Sequence, residues 1–306
     1  MPDVRPRNSE ELIGLGPCEL SRLLEVNDNY PPITEVRRCV TAGLTEDLVP
    51  MGDITATLVD PLTRSVSEFR ARDSGRMSGR LCVEETFAQV DASTALTWHA
   101  DDGDHLEPGA SVCTVSGTLA TMLTAERTAL NFLCHLSGIA SLTAKYVEAV
   151  ADRCRVLDTR KTTPGLRALE KAAVRCGGGH NHRGSLSEFV LVKDNHLAGI
   201  SITEAVERAS ARWPARTIEV ECDRVEQVQE AVRAGADMVL LDNMEPDVVA
   251  RIVESVRSSG SRTLLDVSGG VDLTTVSDYA EARPDFISIG ALTHSAPVLD
   301  IGLDIG

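Results

Sequence analysis

Cations are scarce in this 306-residue chain: 30 Lys and Arg stand against 46 Asp and Glu, a net charge of −16. That deficit excludes sequence-independent binding to nucleic acid or to an anionic membrane surface, since both rest on surplus surface Lys and Arg. No apolar run is long enough to span a bilayer, and the opening MPDVRPRNSEE lacks the apolar core of a signal peptide, so a cytoplasmic protein is expected. Paired cysteines are missing too. The eight cysteines stand singly with no CxxC pair, which reads as reduced, small core residues. His180 and His182 lie near Cys176, but without a second thiolate at ligand spacing they make a poor zinc site.

What is present is a soluble, globular composition, 42% hydrophobic and 25% charged. Helical spacing of apolar residues covers 10–26 and 33–47, on either side of Tyr30-Pro31-Pro32. Between 65 and 117 the pattern changes to short alternating runs, SVSEFRAR, RMSGRLCV, ALTWHA and ASVCTVSG, which fit a small sheet with a helix over 84–90. A long apolar helix then runs from near Leu119 to about Val150, with a break expected at Ser137-Gly138. From there apolar strands (154–158, 189–193, 217–221, 237–242, 263–268, 285–290) alternate with helices (166–175, 201–212, 224–234, 246–258, 272–281). Near-continuous apolar strands linked by helices specify a parallel α/β barrel. Six successive units favour a barrel over an open sheet.

The stretch from Asp158 to His196 gathers seven Lys and Arg against four acids, with three of the seven histidines and the run Gly177-Gly178-Gly179. An acidic protein that concentrates its cations on loops is built to bind a small, multiply charged anion there. Asp158, Lys193, Glu221, Asp242, Ser268 and Gly290 each end a strand, and in a barrel those ends converge on one mouth. Ser268-Gly269-Gly270 opens a helix after a strand, and Gly290-Ala291 follows the next one, so both can receive a phosphate. Glu221 and Asp242 on neighbouring strands can hold Mg²⁺, accept bonds from sugar hydroxyls, or face a developing cation. Phosphates, hydroxyls and a divalent ion together point to a phosphorylated sugar. Arg127, Arg160, Lys161, His182, Arg183 and Lys193 exceed what one phosphate needs, so a second, carboxylate-bearing substrate is expected.

These residues fall in ordered motifs: ERTALN (126–131), HLSGIA (135–140), DTRKT (158–162), PGLR (164–167), GGGHNHR (177–183), KDNH (193–196), EVE (219–221), LLDN (240–243), SGG (268–270) and GALTH (290–294). Collinear from about 124 to 304, they make the chain resemble the quinolinate phosphoribosyltransferase family, the carboxylating nicotinate-nucleotide pyrophosphorylases. The resemblance implies transfer of phosphoribose from 5-phosphoribosyl 1-pyrophosphate to quinolinate with Mg²⁺, giving nicotinate mononucleotide, pyrophosphate and CO₂, a step of de novo NAD biosynthesis. It also implies an open α/β barrel over 126–294 with a smaller N-terminal α/β sandwich domain over 1–125, to which residues 295–306 return, and a homodimer or higher homo-oligomer in which Arg127 reaches the partner's site. By the same carry-over Arg127, Arg160, His182, Arg183 and Lys193 hold the two carboxylates of the acceptor. Lys161, Glu221, Asp242, Ser268, Gly269, Gly270, Gly290 and His294 face the phosphoribosyl donor, and Thr159, Ile289 and Ala291 are further substrate-binding residues; Lys161, Glu221 and Asp242 are the catalytic residues, and Glu221 and Asp242 the metal site.

The chain departs from the family pattern at Gly184-Ser185-Leu186-Ser187-Glu188, where the glycine is displaced by one, and at Asp266-Val267, where Glu and a small residue are usual. The first departure concerns the acceptor side. It leaves open a paralogue that uses a different pyridine or aromatic acid, or a ligand-binding homologue without turnover. A Schiff-base reaction at Lys161 or Lys193 is the alternative from another enzyme class.

Overall fold

The computed structural model of the chain describes residues 29–306, so the helix expected over 10–26 lies outside the described residues. Helix α1 (Ile33–Leu48) buries Val36, Cys39, Val40 and Leu44, the stripe that its spacing dictates. Strand β1 (Arg64–Ala71) buries every second residue, and β2 (Gly75–Arg76) follows it after a short turn. The next run departs from expectation: Arg80–Val90 is a single helix, α2, so RLCV is helical and not a strand. Gly79, at φ 117°, turns the chain there, and Asp102 Oδ1 accepts from the N–H groups of Gly79 (2.9 Å) and Arg80 (3.1 Å). A carboxylate on the first free amides of a helix is the local device that starts it. Strands β3 (Ala95–Trp98), β4 (His105–Leu106) and β5 (Ser111–Thr118) complete this part, β2 pairing with β4 alone.

Helix α3 (Leu119–Val150) is continuous through Ser137-Gly138, and the expected break is absent. The two residues serve close packing. Ser137 Oγ accepts from Ser78 N at 3.0 Å and donates to Ser78 O at 3.1 Å, while a Cβ on Gly138 would sit 2.1 Å from Pro297 O. The helix supplies two cores, Met122 to Leu133 to the small sheet and Leu136 to Val150 to the other.

Six strands follow: β6 (Arg155–Leu157), β7 (Val190–Val192), β8 (Ile218–Cys222), β9 (Met238–Asp242), β10 (Leu264–Ser268) and β11 (Phe286–Ser288). All pair in parallel, in the order β6-β11-β10-β9-β8-β7. Their connecting helices are α4 (Arg167–Cys176), α5 (Ile202–Arg212), α6 (Val225–Ala234), α7 (Pro246–Ser258) and α8 (Val276–Glu281). The expected six strands are all present, at bounds within two residues of those read from the sequence. β6 and β7 do not pair, which leaves the barrel open, and the segment at His180 bridges to Leu157 along that opening. After the one-turn α9 (Ala291–His294), strand β12 (Ile301–Ile305) returns to the first sheet, ordered β12-β1-β5-β3 and antiparallel throughout. Among the described residues no helix is long and apolar enough to cross a membrane.

Candidate active site

The loop after β6 carries Thr159, Arg160 and Lys161, and it is tied down at both ends. Thr159 Oγ1 accepts from Lys161 N at 3.0 Å, and Thr293 Oγ1 donates to Lys161 O at 2.8 Å, which binds this loop to α9. Gly290 lies in the same contact: a Cβ there would stand 3.1 Å from both Lys161 Cδ and His294 Nε2. Lys161, Gly290 and His294, far apart in sequence, therefore share one corner of the mouth. Ala291 is half-buried beside them. Ile289 is a core residue, 2% exposed, with its N–H bonded to Leu157 O at 2.9 Å.

The next corner is built by backbone shape. Gly269 (φ 95°) and Gly270 (φ 65°) are both left-handed, and a Cβ on Gly269 would lie 2.3 Å from Asn243 Oδ1 and 2.9 Å from Asn243 N. Only glycine allows that approach. It sets Ser268 against Asn243, whose N–H donates to Ser268 O at 2.9 Å and whose Nδ2 donates to Asp242 Oδ2 at 2.9 Å. Ser268 and Asp242 are register partners across β10 and β9. On the neighbouring strand Glu221 forms an ion pair with Lys193.

The side of the mouth that carries His182 and Arg183 is held from beneath. Asp158, expected among the mouth residues, is instead fully buried, and this corrects the reading of its strand end. It forms an ion pair with buried Lys171 and accepts from Asn181 Nδ2 at 2.5 Å and His182 N at 2.9 Å. Lys171 Nζ also donates to His182 O at 2.8 Å. Asp158 thus spends its charge on shaping the 181–183 segment. Arg183 is 6% exposed, donates to Phe189 O at 3.1 Å and lies 5.6 Å above the Phe189 ring. Burial first, and then the charge of Arg160, push its pKa down from the usual guanidinium range. Two guanidiniums close enough to repel call for an anion between them. Arg160 Nε is likewise buried with no partner.

The altered 184–188 loop closes on itself. Glu188 Oε2 accepts from Gly184 N at 2.7 Å, and Arg167 Nη1 donates to Gly184 O at 3.0 Å, so Arg183 keeps its anchor. Arg127 is exposed on α3 and forms no ion pair among the described residues.

Residues 53–137 match the N-terminal domain, and residues 139–304 the C-terminal domain, of quinolinate phosphoribosyl transferase. The chain belongs to the quinolinate phosphoribosyltransferase family. It is 39% identical over 276 residues to the nicotinate-nucleotide pyrophosphorylase [carboxylating] of Mycobacterium leprae, covering 88% of this chain and 96% of that protein. With the probable enzyme of the same name from Bacillus subtilis it shares 38% over 257 residues, 83% and 88% of the two chains. Among solved structures, the nicotinate-nucleotide pyrophosphorylase from Francisella tularensis superposes with a TM-score of 0.88 at 35% identity, over 91% of this chain and 99% of that one. NadC from Streptococcus pyogenes gives 0.84 at 38%, over 90% and 98%.

Sequence reasoning missed the residues beneath the site. Lys171 counted only among the seven cations of 158–196, Glu219 only as part of the EVE motif, and Asp266 only as a departure from the family pattern. The available signal was position: Glu219 precedes Glu221 by two, and Asp266 precedes Ser268 by two, so each shares a strand face with a mouth residue.

Proposed function

We propose that this chain transfers phosphoribose from 5-phosphoribosyl 1-pyrophosphate to quinolinate, releasing pyrophosphate and CO₂ and forming nicotinate mononucleotide, as its family membership implies. The observation that carries the acceptor assignment is the Arg160 and Arg183 pair, one with a buried N–H that has no partner among the described residues, the other destabilised first by burial and then by its neighbour's charge. A planar dicarboxylate satisfies both through forked contacts.

On this reading Gly269, Gly270 and Gly290 receive the donor's phosphates, with Lys161 and His294 beside them. The acceptor's ring nitrogen attacks the anomeric carbon, the bond to pyrophosphate breaks, and its electron pair leaves with that group. Glu221 and Asp242 face the positive charge that develops on the ribose, and Lys161 offsets the leaving charge. The alkylated pyridinium then loses its adjacent carboxylate as CO₂. The electron pair stays on the ring carbon and takes a proton from solvent, and the arginines orient the ring without adding chemistry.

Asp242 keeps one carboxylate oxygen outside its bond to Asn243, and among the described residues Glu221 pairs with Lys193 alone. Two carboxylates beside a phosphate cradle suit Mg²⁺, which takes few protein oxygens and shares substrate phosphates. Bound there, the ion supplies neutralisation of the departing pyrophosphate.

We place the second copy of the chain on the face that carries Arg127. Val49, Met51, Ile54, Leu58 and Leu62 are 66 to 84% exposed, an apolar strip, and the turn at Ala56–Leu58 packs on α3, the helix of Arg127. A homodimer covers such a strip and carries Arg127 to the neighbouring mouth. Seven free cysteines among the described residues suit the reducing cytoplasm.

Steady-state kinetics of Arg160→Ala and Gly269→Ala test the assignment. Arg160→Ala raises KM for quinolinate and Gly269→Ala raises KM for the donor. The reverse pattern contradicts it.

A further inference from the structure

Glu219 and Asp266, inside the barrel below the mouth, have no part in the reaction as described, and they meet the inner side of His182. Glu219 and Asp266 are fully buried, and the His182 side chain is 8% exposed. One polar atom from each lies within 4.8 Å of the other two. His182 Nε2 meets Glu219 Oε2 at 2.9 Å, and Ser288 Oγ donates to Asp266 Oδ2 at 2.6 Å. Glu219 Oε1 and Asp266 Oδ1 are left buried and without partners.

Buried polar atoms without partners are costly, and two of them on facing carboxylates need an explanation. Two carboxylates this close in a dry interior disfavour each other's charge. Asp266 is the one pushed up, to about 7, by burial first and then by the charge of Glu219. Glu219 Oε2 is the partner that His182 meets. With Nε2 committed to Glu219, Nδ1 is the ring's one remaining polar atom, and it makes no hydrogen bond among the described residues. Phe189 packs edge-on to the ring, with centroids 5.0 Å apart and an interplanar angle of 73°, which limits its rotation. The backbone of His182 is fixed from the other side by Asp158 and Lys171.

We propose that Glu219 and Asp266 are positioning residues for the acceptor: from inside the barrel they lock the His182 ring with Nε2 inward, turning Nδ1 toward a carboxylate of the pyridine dicarboxylate, with a proton on each ring nitrogen in the bound complex so that both donate. This rests on the reading of the mouth given above. Glu219 acts directly on the ring. Asp266 acts through Glu219, closing the space behind it so that its carboxylate has one orientation. The imidazole is then a prearranged donor, and binding the acceptor does not have to order it.

The test is kinetic, on the intact chain with quinolinate and the phosphoribosyl donor varied in turn. Glu219→Gln raises KM for quinolinate about tenfold or more while KM for the donor stays within roughly twofold, a split that general damage to the barrel does not produce. Asp266→Asn gives the same split to a smaller degree, and Asp266→Glu restores it. Should Glu219→Gln not fold, the two Asp266 variants carry the comparison alone. Equal changes in both KM values, or none, overturn the proposal. So does a stoichiometric divalent metal that copurifies with the wild type and is lost from Glu219→Gln, because the three side chains are then ligands. Wild-type turnover separates the two levels: its absence sinks the functional reading, whereas a normal wild type with unsplit variants sinks only this inference.

Discussion

Replacing Lys171 by Met removes the cation that holds Asp158 in the barrel wall. Asp158 is fully buried, and in the variant it keeps only Asn181 Nδ2 at 2.5 Å and His182 N at 2.9 Å. Breaking a buried ion pair from one side costs about 3–5 kcal/mol, and the two remaining hydrogen bonds place this case toward the lower end. For a chain of this size that is a fall of about 6–10 °C in melting temperature. The loss depends on pH. Burial already raises the Asp158 pKa, and the Lys171 charge is the largest influence that lowers it. Without Lys171 the folded-state pKa lies further above the unfolded value. The penalty is then full above the folded pKa and fades as pH falls through it toward the ordinary carboxylate range. Urea unfolding of parent and variant at a series of pH values measures this directly. Asp158→Asn together with Lys171→Met recovers most of the deficit, since no charge is left unpaired. A deficit below about 1 kcal/mol, or one equal at every pH, refutes the assignment of Asp158 and Lys171 as a structural pair.

Other substitutions separate packing from chemistry. Gly138→Ala puts a methyl group where Pro297 O already lies 2.1 Å from the Cβ position. It lowers stability by about 1–3 kcal/mol in urea, with kcat per folded molecule unchanged. Gly269→Ala forces a left-handed residue against Asn243 and weakens donor binding tenfold or more, by about 1.4 kcal/mol at least, measured by calorimetry without acceptor present. At quinolinate far below their raised KM values, Arg127→Ala and Arg160→Ala are each almost without turnover as pure proteins. Mixed and allowed to exchange subunits, they recover roughly a quarter of wild-type activity, because hybrid dimers contain one intact site. No recovery despite exchange rules out an Arg127 that serves the partner.

Much of this was legible in the chain because the barrel uses its strands simply. Apolar runs ending in one polar residue marked both the strands and the mouth, and Lys193, Glu221, Asp242 and Ser268 stand where those endings put them. Asp158 obeyed the same pattern for a different reason. Its strand lies at the opening of the barrel, where the carboxylate turns inward to hold the 181–183 segment. Ser137-Gly138 resembled a helix break because Ser and Gly are poor helix formers, yet the tertiary contact with Ser78 and Pro297 needs small residues and overrides propensity. The strand run RMSGRLCV failed at Gly79, where a carboxylate 23 residues away in sequence starts a helix instead. Pairings of that kind are not visible in local periodicity.

The most direct single measurement is product stoichiometry. Purified protein is given quinolinate, 5-phosphoribosyl 1-pyrophosphate and Mg²⁺, and pyrophosphate, CO₂ and nicotinate mononucleotide are all quantified. Equal amounts of the three, with none from Glu221→Ala, are the expected result. Pyrophosphate released without equivalent CO₂ and nucleotide, or no product while the donor still binds, contradicts quinolinate as the acceptor.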